Sequence, residues 1–97
     1  TAIFASNDRM ALGAMKWIQD NGVRIPDDVS VVGIDDLAEA EFFQPALTSV
    51  RQDFAAMGRA AAETVIAMIE RPDEVPDVAY PPPRLIVRES TGAPAAT

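Results

Sequence analysis

The chain has 97 residues, of which 48% are hydrophobic and 24% charged, and its formal net charge is −7. This composition is typical of one ordinary globular domain, and no apolar run approaches the roughly 20 residues that a membrane-spanning helix needs. A chain this acidic repels DNA phosphates and carries no clustered basic stripe, so we expect no direct nucleic-acid contact from this stretch. The absence of Cys and His excludes disulfides, zinc sites of the usual Cys/His kind, and Ser-His or Cys-His catalysis.

The first half of the chain predicts a strand–helix–strand unit. A short apolar run at residues 3–5 predicts the first strand, and we expect the chain to be a piece of a longer protein because no initiator Met precedes it. The Ser-Asn-Asp sequence at 6–8 supplies N-cap candidates for a helix over 8–21, and Gly22 suits the position just after its end. The continuously apolar, β-branched run at 29–34 predicts a strand covered on both faces.

The second half predicts a further strand, a longer helix and a last strand. Residues 48–52 form a shorter, more polar strand pattern, after which Asp53 caps a helix over 54–70. A proline-rich stretch at 72–83 predicts an extended linker, and an apolar run at 85–87 predicts the last strand. This order of elements predicts the α/β class: a parallel sheet flanked by helices, with parallel pairings and a right-handed first crossover.

Polar side chains follow each of the first three predicted strands. They are Ser6, Asn7, Asp8, Asp35, Asp36, Arg51, Gln52 and Asp53. Because the carboxyl ends of parallel strands share one edge of a sheet, we expect these residues to meet at the edge where ligands bind in open α/β sheets. Carboxylates and amides suit polyhydroxylated or nucleobase ligands, since they accept and donate hydrogen bonds in fixed planar geometry.

A purely structural interpretation is open for each of these residues. Asn7 and Asp8 open a helix, and Asp53 precedes one, so all three suit helix caps. One aspartate of the pair at 35–36 could begin a short helical turn, and Gln52 could be a solvated strand end. The ligand hypothesis therefore depends on the edge that these residues share.

Three stretches of the sequence resemble the C-terminal part of LacI/GalR-type transcriptional regulators. They are TAIFASNDRMALGAMKWIQDNGVRIPDDVSVVGIDD, PALTSVRQD and LIVRES. The resemblance covers roughly residues 1–90, and its most specific motifs are SND-x-x-A-x-G, IPDDVSVVG-x-DD and LTSVRQ in that order. It implies a two-lobed, periplasmic-binding-protein-like (type I) fold, of which this chain is a part.

The resemblance also implies which residues bind the effector, a sugar or similar small molecule, in the cleft between the lobes. Asn7 matches an effector-contacting amide, and Asp35 matches the carboxylate that holds a sugar hydroxyl or a base. Gln52 matches a further cleft contact near the crossover between the lobes. Phe54 matches a residue that forms an apolar wall of the effector site. No cofactor, metal or catalytic residue is implied.

A homodimer is expected from the resemblance and from the first predicted helix. The apolar residues of that helix are Met10, Ala11, Leu12, Ala14, Met15, Trp17 and Ile18. They encircle more of the helix than one sheet-facing stripe requires, so a second partner is predicted. Leu12 and Lys16 lie four residues apart on one such face, and Phe42 and Phe43 are the expected contribution of the loop after the aspartate pair. The alternative is a helix buried within its own domain.

The resemblance divides the chain as follows. Residues 1–52 and 84–90 are expected in the C-terminal lobe, the helix at 53–70 against an N-terminal lobe absent from this chain, the linker at 72–83 in the crossover, and 91–97 in a loose tail. The apolar face of the long helix should then lack its partner in the isolated chain.

The predicted function is effector binding and dimerisation within a cytoplasmic LacI-type regulator, which contacts DNA through an N-terminal helix-turn-helix outside this chain. The first alternative is a sugar-binding receptor of a transporter, which shares the fold. A phosphoacceptor receiver domain is disfavoured because Lys16, the one lysine, lies in the first helix rather than after a late strand. An enzyme is disfavoured because paired carboxylates without His, Cys or a Gly-rich phosphate loop form no recognisable catalytic set.

Overall fold

A computed structural model of the chain describes residues 1–96. Its strands and helices are β1 (Ala2–Phe4), α1 (Asp8–Asp20), β2 (Ser30–Asp35), a short 3-10 helix (Ala38–Phe42), β3 (Thr48–Arg51), α2 (Phe54–Glu70) and β4 (Arg84–Ile86). Among the described residues, neither helix is both long and apolar enough to cross a lipid bilayer.

The four strands form one sheet in the order β1-β2-β3-β4. The β1–β2 and β2–β3 pairs are parallel, and the α/β fold class is confirmed. The expectation of parallel pairing is wrong for the last strand, since β4 runs antiparallel to β3 with Arg84 opposite Arg51. The physical reason is the route of the chain: it leaves the sheet after Arg51 and re-enters beside Arg51, at the same end of the sheet, so the new strand must run back along β3.

The two ends of α1 are closed by the residues that the sequence indicates. The side chain of Asn7 accepts a hydrogen bond from the Met10 amide at 2.9 Å, which makes Asn7 the N-cap. At the other end Gly22 has φ +76°, a conformation that costs glycine little. Its N–H donates to the Gln19 carbonyl and the next amide, of Val23, donates to the Ile18 carbonyl. These two bonds form a Schellman motif that satisfies carbonyls at the helix end.

The chain divides into two compact units, Thr1–Arg51 with Arg84–Thr97, and Gln52–Pro83. The first contains the hydrophobic core, in which one stripe of α1 contacts the sheet. The buried apolar residues of this core are Ala5, Ala11, Met15, Ile18, Val31, Ala40 and Leu47. The second unit contains α2, which is capped by Asp53 through a 2.9 Å bond from the Ala56 amide, and the extended segment that follows it.

The segment after β4 is attached to the sheet rather than loose. Ser90 is fully buried; its hydroxyl donates to the Val31 carbonyl of β2 at 2.6 Å and accepts from the Thr48 amide of β3 at 2.8 Å. The tail expected from residue 91 is also held at its start, because the Gly92 amide donates to the Ser30 hydroxyl at 3.1 Å. The sequence offered no local sign of these contacts.

Replacing Ser90 with alanine should destabilise the intact protein by about 1–3 kcal/mol, because two buried backbone groups of β2 and β3 lose a hydrogen-bond partner. Urea unfolding would measure the change. Ser6→Ala, which removes a hydroxyl from an exposed serine, is the matched control and should leave the midpoint almost unchanged. Equal midpoints for the two variants would contradict this role for Ser90.

Candidate functional site

The carboxyl ends of β1, β2 and β3 lie at one edge of the sheet because the three strands are parallel. Two of the four predicted effector-binding residues, Asn7 and Asp35, lie at this edge within the first unit, and both are half-buried. This is the position at which ligands bind in open α/β sheets.

Asp8 is neither a helix cap nor an exposed ligand-binding group. It is fully buried, and its two carboxylate oxygens accept from the Ser49 hydroxyl at 2.6 Å and from the Leu37 amide at 2.7 Å. The same Ser49 oxygen accepts from the Asp36 amide at 3.0 Å. Asp8 therefore joins the start of α1 to β3 and to the turn after β2.

Gly33 provides the space for this buried carboxylate. A Cβ at Gly33 would overlap the Asp8 Oδ1 atom and would lie 3.1 Å from Leu47 Cδ2. Position 33 therefore requires glycine for close approach rather than for an unusual backbone conformation, since a side chain here would displace Asp8.

The turn that carries Asp35 has an uncommon backbone conformation. Asp35 has φ +106° and Asp36 has φ +56°, and positive φ is costly for residues other than glycine, about 1–3 kcal/mol for each residue. The two amides that follow Asp35 are both held, one by Ser49 and one by Asp8. The surrounding structure thus maintains a conformation that the local sequence alone would rarely adopt.

The carboxylate of Asp36 lies between two arginines. Its side chain is 3% exposed; Arg51 Nε is 2.7 Å from Oδ2 and Arg88 Nη1 is 2.7 Å from Oδ1. Arg51 Nε donates a hydrogen bond to Oδ2, and the Arg88 guanidinium forms an ion pair with Oδ1. Burial disfavours the charged form, but the guanidinium groups of Arg88 and Arg51 outweigh it and hold the pKa of Asp36 below its usual range.

Sequence reasoning placed Asp36 beside Asp35 but missed its role and that of Arg88. We name these three residues, Asp36, Arg51 and Arg88, the arginine–aspartate cluster. The sequence contained only a weak indication of the Arg88–Asp36 ion pair. Arg88 is one of few charges near a short apolar strand, and Asp36 is distant from it in sequence. Charge alone could not have indicated which of seven arginines contacts which carboxylate.

The other two predicted effector-binding residues belong to the second unit. Gln52 directly follows β3 and is half-buried, whereas Phe54 is the first residue of α2 and is 54% exposed. Their roles stay predictions.

The predicted dimer residues all lie in the first unit. Leu12 and Phe42 are exposed, at 46% and 75%, and Lys16 is exposed with its ammonium group 2.8 Å from Asp20 Oδ1. Phe43 differs from them because it is half-buried and packs against the core. Of the two phenylalanines, Phe42 is the one that presents an apolar surface.

Within residues 1–96, no group of three or more acidic side chains is arranged to hold a metal ion. The edge instead combines the Asn7 amide, the Asp35 carboxylate in its positive-φ turn, and the adjoining arginine–aspartate cluster. Such a set can orient hydroxyl or amino groups of a neutral ligand by hydrogen bonds.

The family described as periplasmic binding protein-like domain matches residues 1–91 of this sequence. The chain belongs to this family.

Similar proteins also identify the type of domain. The HTH-type transcriptional repressor PurR of Vibrio parahaemolyticus is 39% identical over 90 residues, which cover 93% of this chain and 27% of PurR. A dimeric Lac repressor structure with a C-terminal deletion is 36% identical with a TM-score of 0.79, over 97% of this chain and 34% of that one. A CelR–cellobiose complex is 39% identical with a TM-score of 0.79, over 92% and 27%. The expected resemblance to LacI-type regulators is confirmed, and the chain spans about a third or less of each of these proteins.

Proposed function

We propose that this domain binds a small neutral effector, most simply a sugar, as the effector-binding and dimerisation part of a LacI-type transcriptional regulator. One observation carries the proposal: Asp35, at the carboxyl end of β2, is held in a positive-φ turn at the same sheet edge as Asn7. In the intact protein, DNA contact is assigned to a helix-turn-helix outside this chain.

The chemistry of Asp35 supports a ligand with hydrogen-bond donors. An ionised carboxylate offers only acceptors, and each hydrogen bond to a charged group contributes about 1.5–3 kcal/mol. Asn7 uses its side-chain oxygen to cap α1, which leaves its amide nitrogen as the group available to an effector oxygen. Hydroxyl groups, which both donate and accept, match this pair, and one similar regulator was solved with cellobiose.

Gln52 and Phe54 are proposed as further effector contacts on the strength of their sequence motifs. The remaining contacts are assigned to a second lobe outside this chain. Effector binding would change the relative orientation of the lobes and so alter DNA affinity, and coupling energies of this kind are typically about 1–3 kcal/mol.

A gel shift with the intact protein on its own upstream DNA tests the function. The binding reactions would contain no ligand, or ribose, cellobiose, adenine or guanine. A shift that one of these compounds abolishes or strengthens would support a ligand-responsive regulator and would identify the effector class. Failure to shift under every condition, with heat of binding in calorimetry for one of the sugars, would instead favour the transporter receptor.

Dimerisation is proposed through the exposed face of α1 and the loop that carries Phe42. Leu12→Asp should shift the intact protein from dimer to monomer in sedimentation velocity, because it places a charge in an apolar contact. Val75→Asp is the control, since Val75 is 92% exposed and lies outside the proposed face. If both variants sediment as the wild type does, the face is assigned wrongly.

The apolar face of α2 is proposed to pack on the rest of the protein. Its exposed large apolar residues are Phe54, at the first position, and Val65, Ile66, Met68 and Ile69 near the other end. Several large apolar side chains exposed on one helix are typical of an interaction site. The isolated 97-residue chain should therefore self-associate in size-exclusion chromatography with light scattering; a monodisperse, well-folded monomer would contradict this assignment.

A further inference from the structure

The arginine–aspartate cluster adjoins Asp35, to which effector binding is assigned: Asp36 is the next residue, and Arg51 pairs with Asp35 in the β2–β3 register. Asp36 follows Asp35 in the chain, and both have positive φ. A carboxylate positions a ligand only as accurately as its own backbone is held in place. The groups that hold the Asp35–Asp36 turn should therefore determine how accurately the Asp35 carboxylate is placed to bind the effector.

Four contacts converge on this turn from three other segments of the first unit. The Asp36 and Leu37 amides donate to Ser49 Oγ at 3.0 Å and to Asp8 Oδ2 at 2.7 Å. The Asp36 carboxylate is paired with Arg51 and Arg88, each at 2.7 Å. Short polar side chains thus hold the two amides, whereas two guanidinium groups hold the Asp36 carboxylate, Arg51 through a hydrogen bond as well as by charge.

The two arginines differ in how firmly they are themselves fixed. Arg88 is 16% exposed, its Nη1 also donates to the Leu47 carbonyl at 2.7 Å, and its amide donates to Thr48 Oγ1 at 2.8 Å. Arg51 is 52% exposed, so its ion pair is weakened more by solvent and salt. Arg88 is therefore the stronger anchor of Asp36.

We infer that Asp36 and Arg88 are positioning residues for effector binding: Arg88 anchors the buried Asp36 carboxylate and thereby holds Asp35 in its effector-binding conformation. Neither residue needs to touch the effector, because Asp36 is covered and its oxygens already face guanidinium groups. This inference rests on the proposed function of Asp35. It also explains why two adjacent aspartates are present, one that binds the effector and one that secures the turn.

The test compares Arg88→Met, Arg88→Lys and Arg51→Met in the intact protein by calorimetry, with ribose, cellobiose, adenine and guanine as probes. For whichever probe binds the wild type, Arg88→Met should raise the dissociation constant at least about tenfold, equivalent to about 1.4 kcal/mol. Arg88→Lys should recover part of this loss because it restores the charge, and Arg51→Met should change affinity less than Arg88→Met. A merely structural role would lower the fraction of active sites without changing the dissociation constant.

A double-mutant cycle between Arg88→Met and Asp35→Ala separates the inference from the proposed function. If Arg88 acts through Asp35, the double variant should bind no more weakly than Asp35→Ala alone. Additive losses, or normal affinity in Arg88→Met beside weakened Asp35→Ala, would overturn the inference and leave the proposed function intact. Undiminished affinity in Asp35→Ala would overturn the proposed site itself.

Amide hydrogen exchange tests the positioning role of Arg88 even if none of the four probes binds. In Arg88→Met, amides of the peptide that contains residues 35–38 should exchange faster, whereas those of β1 and of the middle of α1 should keep wild-type protection. Unchanged exchange at residues 35–38 would overturn the inference.

Discussion

For the proposed function, Asp35→Ala should weaken effector binding by the intact protein about 10- to 150-fold while operator binding without effector survives. The expectation follows from removing a charged acceptor whose hydrogen bonds contribute about 1.5–3 kcal/mol. Calorimetry with the effector class identified by the gel shift would measure the first quantity, and fluorescence anisotropy with operator DNA the second. Asp35→Asn retains the side-chain shape and tolerates positive φ, so it isolates the contribution of the charge.

Asp27→Ala is the matched control for this prediction. Asp27 is an exposed carboxylate whose contact with Arg24 is long, at 3.8 Å, and it lies in a surface turn away from the carboxyl ends of the strands. This variant should bind effector with wild-type affinity. If Asp35→Ala instead abolished operator binding with effector affinity intact, the assignment of Asp35 to the effector site would be wrong.

Gly33→Ala should destabilise the intact protein by about 2–6 kcal/mol. A new methyl group would overlap the buried Asp8 carboxylate; overpacking of this kind typically costs about 1–3 kcal/mol, and disturbing the two hydrogen bonds that Asp8 accepts adds about 1–3 kcal/mol. The loss should appear as a lower midpoint of urea unfolding. Effector affinity should fall as well, since Asp8 holds the Leu37 amide at the end of the Asp35 turn.

Gly13→Ala is the control for this substitution. Gly13 lies within α1, where an added Cβ meets nothing within 4 Å, and alanine is about 1 kcal/mol more favourable than glycine inside a helix. Gly13→Ala should thus leave stability unchanged or raise it slightly. A Gly33→Ala protein as stable as the wild type would show that the carboxylate of Asp8 can move without cost.

The Asp35 and Gly33 substitutions test two parts of the hydrogen-bonded network around the Asp35–Asp36 turn. Asp35 is the proposed ligand contact and is half-buried, so its substitution tests ligand binding. Gly33, in β2, lies against the buried Asp8 carboxylate, which accepts from the Leu37 amide, so its substitution tests the structural support of the turn. A comparison of dissociation constants with unfolding midpoints would therefore separate the ligand-binding part of the edge from its structural support.

Local sequence patterns determined much of this structure. The β-branched run that contains Val31 formed a strand, the side chains of Asn7 and Asp53 capped the two helices, and Gly22 closed the first of them. Such features depend on backbone preferences and on hydrogen bonds between residues at most five apart. For that reason the order of elements, the α/β class and the edge that carries Asn7 and Asp35 could be predicted before any tertiary contact was known.

Only the tertiary structure determined the different structural roles of residues that are alike in the sequence. Asn7 and Asp8 are equally good caps by sequence, yet Asp8 is buried because Ser49 and the Leu37 amide, 41 and 29 residues away, meet its oxygens. Likewise Arg88 becomes the partner of Asp36 because β4 returns antiparallel beside β3. Long-range pairing of charges and hydroxyls depends on how the strands are arranged in space, and local sequence periodicity does not indicate it.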